Sequence, residues 1–167
     1  MTVVIADTSP LNYLILIGEV DLLAGLFRQV LIPDVMACEL RAPGAPPVVA
    51  EWASRLPSWI EIRPTPVSSE QFDLLDDGER AAILLAQAQC SPVLLLIDEA
   101  DGRAEAERRQ IPTTGTLGVL RAAAIRNMTD LPTTLARLGA TNFRSSNILI
   151  ERLLAEDDER KRSKPRV

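Results

Sequence analysis

Two short apolar runs, VVIA at 3–6 and VLLLI at 93–97, each stop on an aspartate, Asp7 and Asp98, and a helical pattern follows each at once. Unbroken Val/Ile/Leu runs of this length suit strands buried on both faces. QVLIP, WIEIRP and the short IPTT read as further strands. Between them lie helical patterns: LNYLILIG and VDLLAGLF, separated at Gly18; DVMACELRA, with Pro33 near its first turn; AEWASRL after the proline-rich turn APGAPPVV; SSEQFDLL; and DDGERAAILLAQAQ. A charged helix over 99–109, then TLGVLRAAAIRN and helices at 132–138 and 146–156, complete the pattern before the charged end EDDERKRSKPRV, expected to fray. Strands alternating with helices require parallel βαβ units, so the chain is expected to be α/β, with a central, mostly parallel sheet covered on both faces.

At 167 residues the chain fits one domain, large enough to bury roughly 70% of its unfolded surface. What it lacks narrows the chemistry. With no histidine, an imidazole base, a histidine-dependent triad and a histidine-ligated zinc are excluded. Both lysines, Lys161 and Lys164, lie in the last seven residues, which removes a P-loop or Schiff-base lysine from the body of the fold. Carboxylates and arginines remain. Cys38 and Cys90, far apart and among apolar neighbours, read as core thiols of a protein from a reducing compartment. A basic leader and a run of about 20 apolar residues are both missing, so a cytoplasmic protein without a membrane span is expected. The net charge of -5 argues against a broad nucleic-acid surface unless acids are gathered at one cation site.

In parallel sheets the working residues sit at the carboxyl ends of strands. Asp7 and Asp98 hold that position, Glu39 lies two turns into the helix after the second strand, and Glu79 opens the helix after Asp76-Asp77-Gly78. Four acids from separate segments can therefore meet at one rim. Each also has a plain reading. Asp7 could simply end a strand, although Ser9-Pro10 already supplies a helix start; Asp76-x-x-Glu79 reads as a capping box; Asp98 could cap the next helix; and Glu39 alone would be a surface charge. If the acids converge, mutual repulsion keeps them from all ionising unless a cation neutralises them. An all-oxygen set suits Mg²⁺ or Mn²⁺, which lowers the pKa of bound water and holds a phosphodiester for in-line attack.

The segments VVIADTSPLNYLILIGEVDLL, VLIPDVMACEL, LDDGERAAILLA and VLLLIDEADGRAEAERRQIPTTGTLGVL, in this order, resemble the PIN-domain family of metal-dependent ribonucleases, in its prokaryotic branch of VapC-like toxins and their relatives. The resemblance covers about residues 1–128. It implies a PIN-like domain at 1–130; beyond it the chain departs from the small toxins, its two further helices read as an extension of that domain at 131–156 and its end as a flexible charged tail at 157–167. It also implies that Asp7, Glu39, Glu79 and Asp98 are catalytic metal ligands for Mg²⁺ or Mn²⁺, with Glu99 and Asp101 close enough to Asp98 to share its place. Thr8 beside Asp7, and Thr114 or Thr116 after the fifth strand, would support the ligands. Arg80 and Arg103 would contact phosphate. The implied activity is endoribonuclease, as the toxin of a toxin–antitoxin pair, with RNA as substrate, an antitoxin as partner and a homodimer joined through the apolar helices of 10–27. The alternative is a weak or inactive module of the same fold that binds nucleic acid or a protein. Two rivals fail on the residues they require: a haloacid-dehalogenase-type phosphatase needs a second aspartate where Ser9 stands, and a receiver domain needs an acidic pair after its first strand and a lysine late in the sheet, neither of which is present.

Overall fold

The computed structural model describes residues 1–163. In chain order its elements are β1 (Val3–Ala6), α1 (Thr8–Leu16), α2 (Leu22–Phe27), β2 (Val30–Pro33), α3 (Asp34–Leu40), α4 (Pro47–Ser54), β3 (Ile60–Arg63), α5 (Asp77–Gln87), β4 (Val93–Leu96), α6 (Ala100–Arg108), β5 (Thr113–Thr114), α7 (Thr116–Ile125), α8 (Leu131–Gly139) and α9 (Asn147–Arg162). The strands pair in the order β3-β2-β1-β4-β5, every pair parallel. This is a three-layer α/β/α arrangement, with the parallel sheet covered on both faces as the alternation of strands and helices requires.

Because successive strand side chains point to opposite faces, each strand feeds two cores. Val4, Ala6, Val30, Ile32 and Leu96 face one, packed with Leu11, Leu14 and Leu23 of α1 and α2 and with Val119, Leu120 and Ala123 of α7. Ile5, Leu31, Leu95 and Ile97 face the other, under Ile83 and Leu85 of α5 and Ala106 of α6. Fully buried side chains such as Ile5 and Ile83 each contribute about 1.5–3 kcal/mol. Gly18, at φ +74, turns the chain between α1 and α2 in a conformation that a side chain would strain. Of the helices over 10–27 expected to present an interface, Leu11, Leu14, Ile15, Leu22 and Leu26 are buried in the core.

Several local expectations are corrected. SSEQFDLL forms no helix: Phe72 is held under the guanidinium of Arg109, 4.5 Å from the ring centre, and the segment follows that anchor. Both cysteines are exposed and free, Cys38 because α3 turns Met36, Ala37 and Leu40 inward instead, and Cys90 because α5 ends before it. The charged end does not fray at 157. Instead α9 runs to Arg162, since buried Asp157 pairs with Arg160 at 2.5 Å and Lys161 at 2.7 Å, and Lys161 also reaches Asp130 at 3.2 Å in front of α8. The rest of the expected tail, 164–167, lies outside the described residues. Among the described residues no helix is long and apolar enough to cross a membrane.

Candidate active site

Asp7 is the first residue past β1, and its N–H donates to Leu96 O at 2.8 Å, continuing the ladder to β4 by one residue. It occupies the N-cap position of α1, ahead of the helix start expected at Ser9-Pro10, yet its side chain does not cap the helix. The carboxyl is buried, with 3% of the residue exposed. Burial lifts its pKa most, the Thr8 N–H opposes this, and the carboxylates of Asp76, Glu79 and Glu39 add to the rise, so it is pushed up to about 8.

Glu39 approaches from α3 and accepts a hydrogen bond from the Thr8 hydroxyl at 2.5 Å, so the residue after Asp7 tethers the second acid. The two carboxylates converge on the first turn of α5. A Cβ on Gly78 would stand 3.0 and 3.1 Å from Glu39 Oε2 and Oε1 and 3.4 Å from Asp7 Oδ1. A side chain here would press on both acids by a few tenths of an ångström.

Glu79 does form the capping box: its N–H donates to Asp76 Oδ1 at 2.8 Å, and its Oε2 accepts from Asp76 N at 3.1 Å. Its other oxygen turns toward α6, 3.0 Å from where a Cβ on Gly102 would be. Burial raises its pKa, the Asp76 N–H opposes this, and Asp76, Glu99 and Asp101 raise it further.

Asp98 lies two residues beyond β4 and does not cap α6, whose N-cap position is Glu99. Its Oδ1 accepts from Thr116 N and its Oδ2 from the Thr116 hydroxyl, both at 2.7 Å. Burial raises its pKa, while Thr116 and Arg103 oppose this. Of the two candidate threonines, Thr116 therefore holds the acid, whereas the Thr114 hydroxyl lies against Gly118. Thr116→Val removes one of the two bonds and leaves a buried carboxyl oxygen without its donor, at a cost of about 1–2 kcal/mol. Its melting temperature should fall by a few degrees while the fold is retained, which calorimetry would show.

Asp7, Glu39 and Glu79 thus meet around the start of α5, with Asp98 at the neighbouring strand end; Glu99, the N-cap of α6, and Asp101, in its first turn, are exposed, and both act on Glu79. Arg103 acts electrostatically on Asp98, whereas Arg80 turns away, donating to Ser68 O at 3.2 Å and lying 5.9 Å from the Phe72 ring centre. Among the described residues, no three acid or thiol side chains close into a ready-made metal cage. The donors still fit a hard divalent cation. The charged groups weighing most on buried Asp7 are all acids, and Mg²⁺ takes one or two carboxylates while keeping several waters.

Sequence reasoning missed two contributors. Asp76 was legible only as a helix cap, yet it is the acid that weighs most on Asp7. Tyr13, in the interior of an apolar helix, gave no signal; its hydroxyl feels Asp98 and Glu99, and burial and then those acids raise its pKa.

A family model described as a PIN domain matches residues 3–159 of the chain. No curated protein and no solved structure matches it.

Proposed function

Since this chain belongs to the PIN-domain family, a nuclease-type fold, we propose that it is a divalent-metal-dependent endoribonuclease that hydrolyses RNA phosphodiester bonds. The observation that carries this reading is Asp7: a buried carboxyl at a strand end, meeting Glu39 at the first turn of α5 and raised to about 8 by burial and by three neighbouring acids. A group in that state is suited to a cation.

Asp7 and Glu39 would hold Mg²⁺ or Mn²⁺, with Glu79 and Asp98 completing the rim directly or through water and Glu99 and Asp101 adding negative field. When bound, the ion supplies a water of lowered pKa and positive charge for the phosphate in flight. The chain's own groups do the positioning. The Thr8 hydroxyl fixes Glu39, the capping box fixes Glu79, Thr116 fixes Asp98, and Arg103 stands where a phosphate beside Asp98 would be met. The same reading extends to a cytoplasmic toxin held by an antitoxin and to a homodimer. A second reading, a weak or inactive module that binds nucleic acid or a protein, is favoured by one observation: Glu79 already has one oxygen committed to its capping box.

Purified protein incubated with a mixed, end-labelled RNA pool should cut it with Mg²⁺ or Mn²⁺ and not in chelator, and either ion should raise its melting temperature. No cleavage with either metal, and no metal-dependent melting shift, would refute the nuclease and leave the binding module.

A further inference from the structure

The C-terminal extension does more than pack on α7. The loop between α8 and α9 folds back to the carboxyl edge of the sheet, and with Tyr13 it walls a groove of about 770 Å³ that begins at Asp98. Tyr13 and Phe143 meet edge to face in that wall, ring centres 4.9 Å apart at 84°. Both rings are half-buried and both line the groove. Two arginines, Arg103 from α6 and Arg144 from the loop, also line it.

These arginines differ from most others in the molecule. Arg41 and Arg126 are bound to backbone carbonyls, and Arg109, Arg121, Arg137 and Arg160 to carboxylates. Among the described residues, neither the Arg103 nor the Arg144 guanidinium has an ion pair or hydrogen bond; each acts only at longer range, on Asp98 and on Tyr13. Half-buried aromatic rings beside uncommitted guanidinium groups, opening onto a carboxylate rim, match one kind of occupant. An unpaired nucleotide offers an apolar base face to the rings and an anion to the arginines.

We propose that the α8–α9 loop and Tyr13 form a nucleobase subsite beside Asp98, where one unpaired base of the substrate stacks on the Tyr13–Phe143 pair and its phosphate meets Arg144 and Arg103. The identity of the substrate rests on the ribonuclease reading above. The subsite itself rests on the groove. A base inside a duplex has its faces covered by its neighbours, so this subsite selects unpaired strands.

The test uses the full chain carrying Asp7→Asn, so that binding is read without cleavage, and a fluorescein-labelled single-stranded RNA oligomer followed by anisotropy in Mg²⁺. Arg144→Glu should weaken binding at least about tenfold and Phe143→Leu about fivefold or more. Arg152→Glu, on the exposed side of α9, should change it less than about twofold. A duplex of the same sequence should bind more weakly and without dependence on Phe143. Arg144 is exposed, so Arg144→Glu keeps the fold, and melting curves verify this for Phe143→Leu. Unchanged binding by Arg144→Glu and Phe143→Leu overturns the subsite, as does equal binding of the duplex or no binding of single-stranded RNA. Parent protein that cleaves RNA while both variants bind normally keeps the nuclease and removes the subsite. Binding that depends on Arg144 and Phe143 in a parent that never cleaves does the reverse.

Discussion

Asp7→Asn should abolish metal-dependent RNA cleavage and, in chelator at pH 8, should melt at a higher temperature than the parent. Loss of activity together with gain of stability is unusual for a buried residue, and it follows from the site's electrostatics. The Asp7 carboxyl is held at about 8 in the fold against an ordinary value of 3.8. The folded protein therefore binds this proton more tightly than the unfolded chain. The associated stability is fully present below about pH 4 and is lost as pH rises through 8. In chelator the parent should thus weaken steadily between pH 4 and pH 8, by on the order of 5 kcal/mol from Asp7, and the asparagine variant, which keeps only the raised carboxyls of Glu79 and Asp98, should weaken less. For a chain of this size that corresponds to roughly 10–20 °C at pH 8. Added Mg²⁺ or Mn²⁺ should restore the parent and leave Asp7→Asn unmoved. Melting curves across this pH range, run with cleavage assays on the same samples, decide the matter. A variant that still cuts RNA, or one less stable than the parent in chelator, would remove Asp7 from the centre of the site.

Gly78→Ala is expected to slow the proposed RNA cleavage without altering any of the four rim acids. Position 78 lies in the first turn of α5, where alanine is a better helix former than glycine by up to about 1 kcal/mol. The added methyl, however, would sit 3.0–3.4 Å from three carboxylate oxygens of Glu39 and Asp7. Glu39 is tied to Thr8 and Asp7 is fixed by the β1–β4 ladder, so the displacement falls on the relative placement of the two acids. A misplacement of about 1 Å costs about 100-fold in rate, and the smaller shift demanded here costs less. Cleavage should fall several-fold, with a higher metal concentration needed for half-maximal rate, while the melting temperature in chelator holds or rises. Gly44→Ala, whose added methyl would meet nothing within 4 Å, is the matched control and should behave as the parent. Full activity in Gly78→Ala would show that Glu39 and Asp7 do not act on one ion.

The parts of the site that were legible in the sequence are those fixed by strand ends and helix starts. A parallel strand delivers its next residue to the carboxyl edge, so Asp7 and Asp98 were placed by the runs before them. The spacing Asp76-x-x-Glu79 announced a capping box that the fold contains. That same motif concealed a second use, because a local explanation for Asp76 gives no reason to look for its effect on Asp7 across the rim. Thr114 and Thr116 could not be separated by spacing either. Which hydroxyl reaches Asp98 depends on how α7 leaves the sheet, and Gly115, with Asp98 Oδ1 only 2.5 Å from where its Cβ would be, sets that approach.

The sequence by itself determined the α/β class, the parallel sheet, the edge that carries the acids and the absence of imidazole chemistry, because these follow from short-range periodicity and composition. Only the tertiary structure decided that α1 and α2 bury their apolar faces, that both cysteines are exposed, that the charged end continues α9 through Asp157 and its two cations, and that the α8–α9 loop returns to Asp98. The physical reason is common to all four. Each depends on which surface a segment meets across long stretches of chain, and pattern along a helix or strand records which face is apolar but not what covers it.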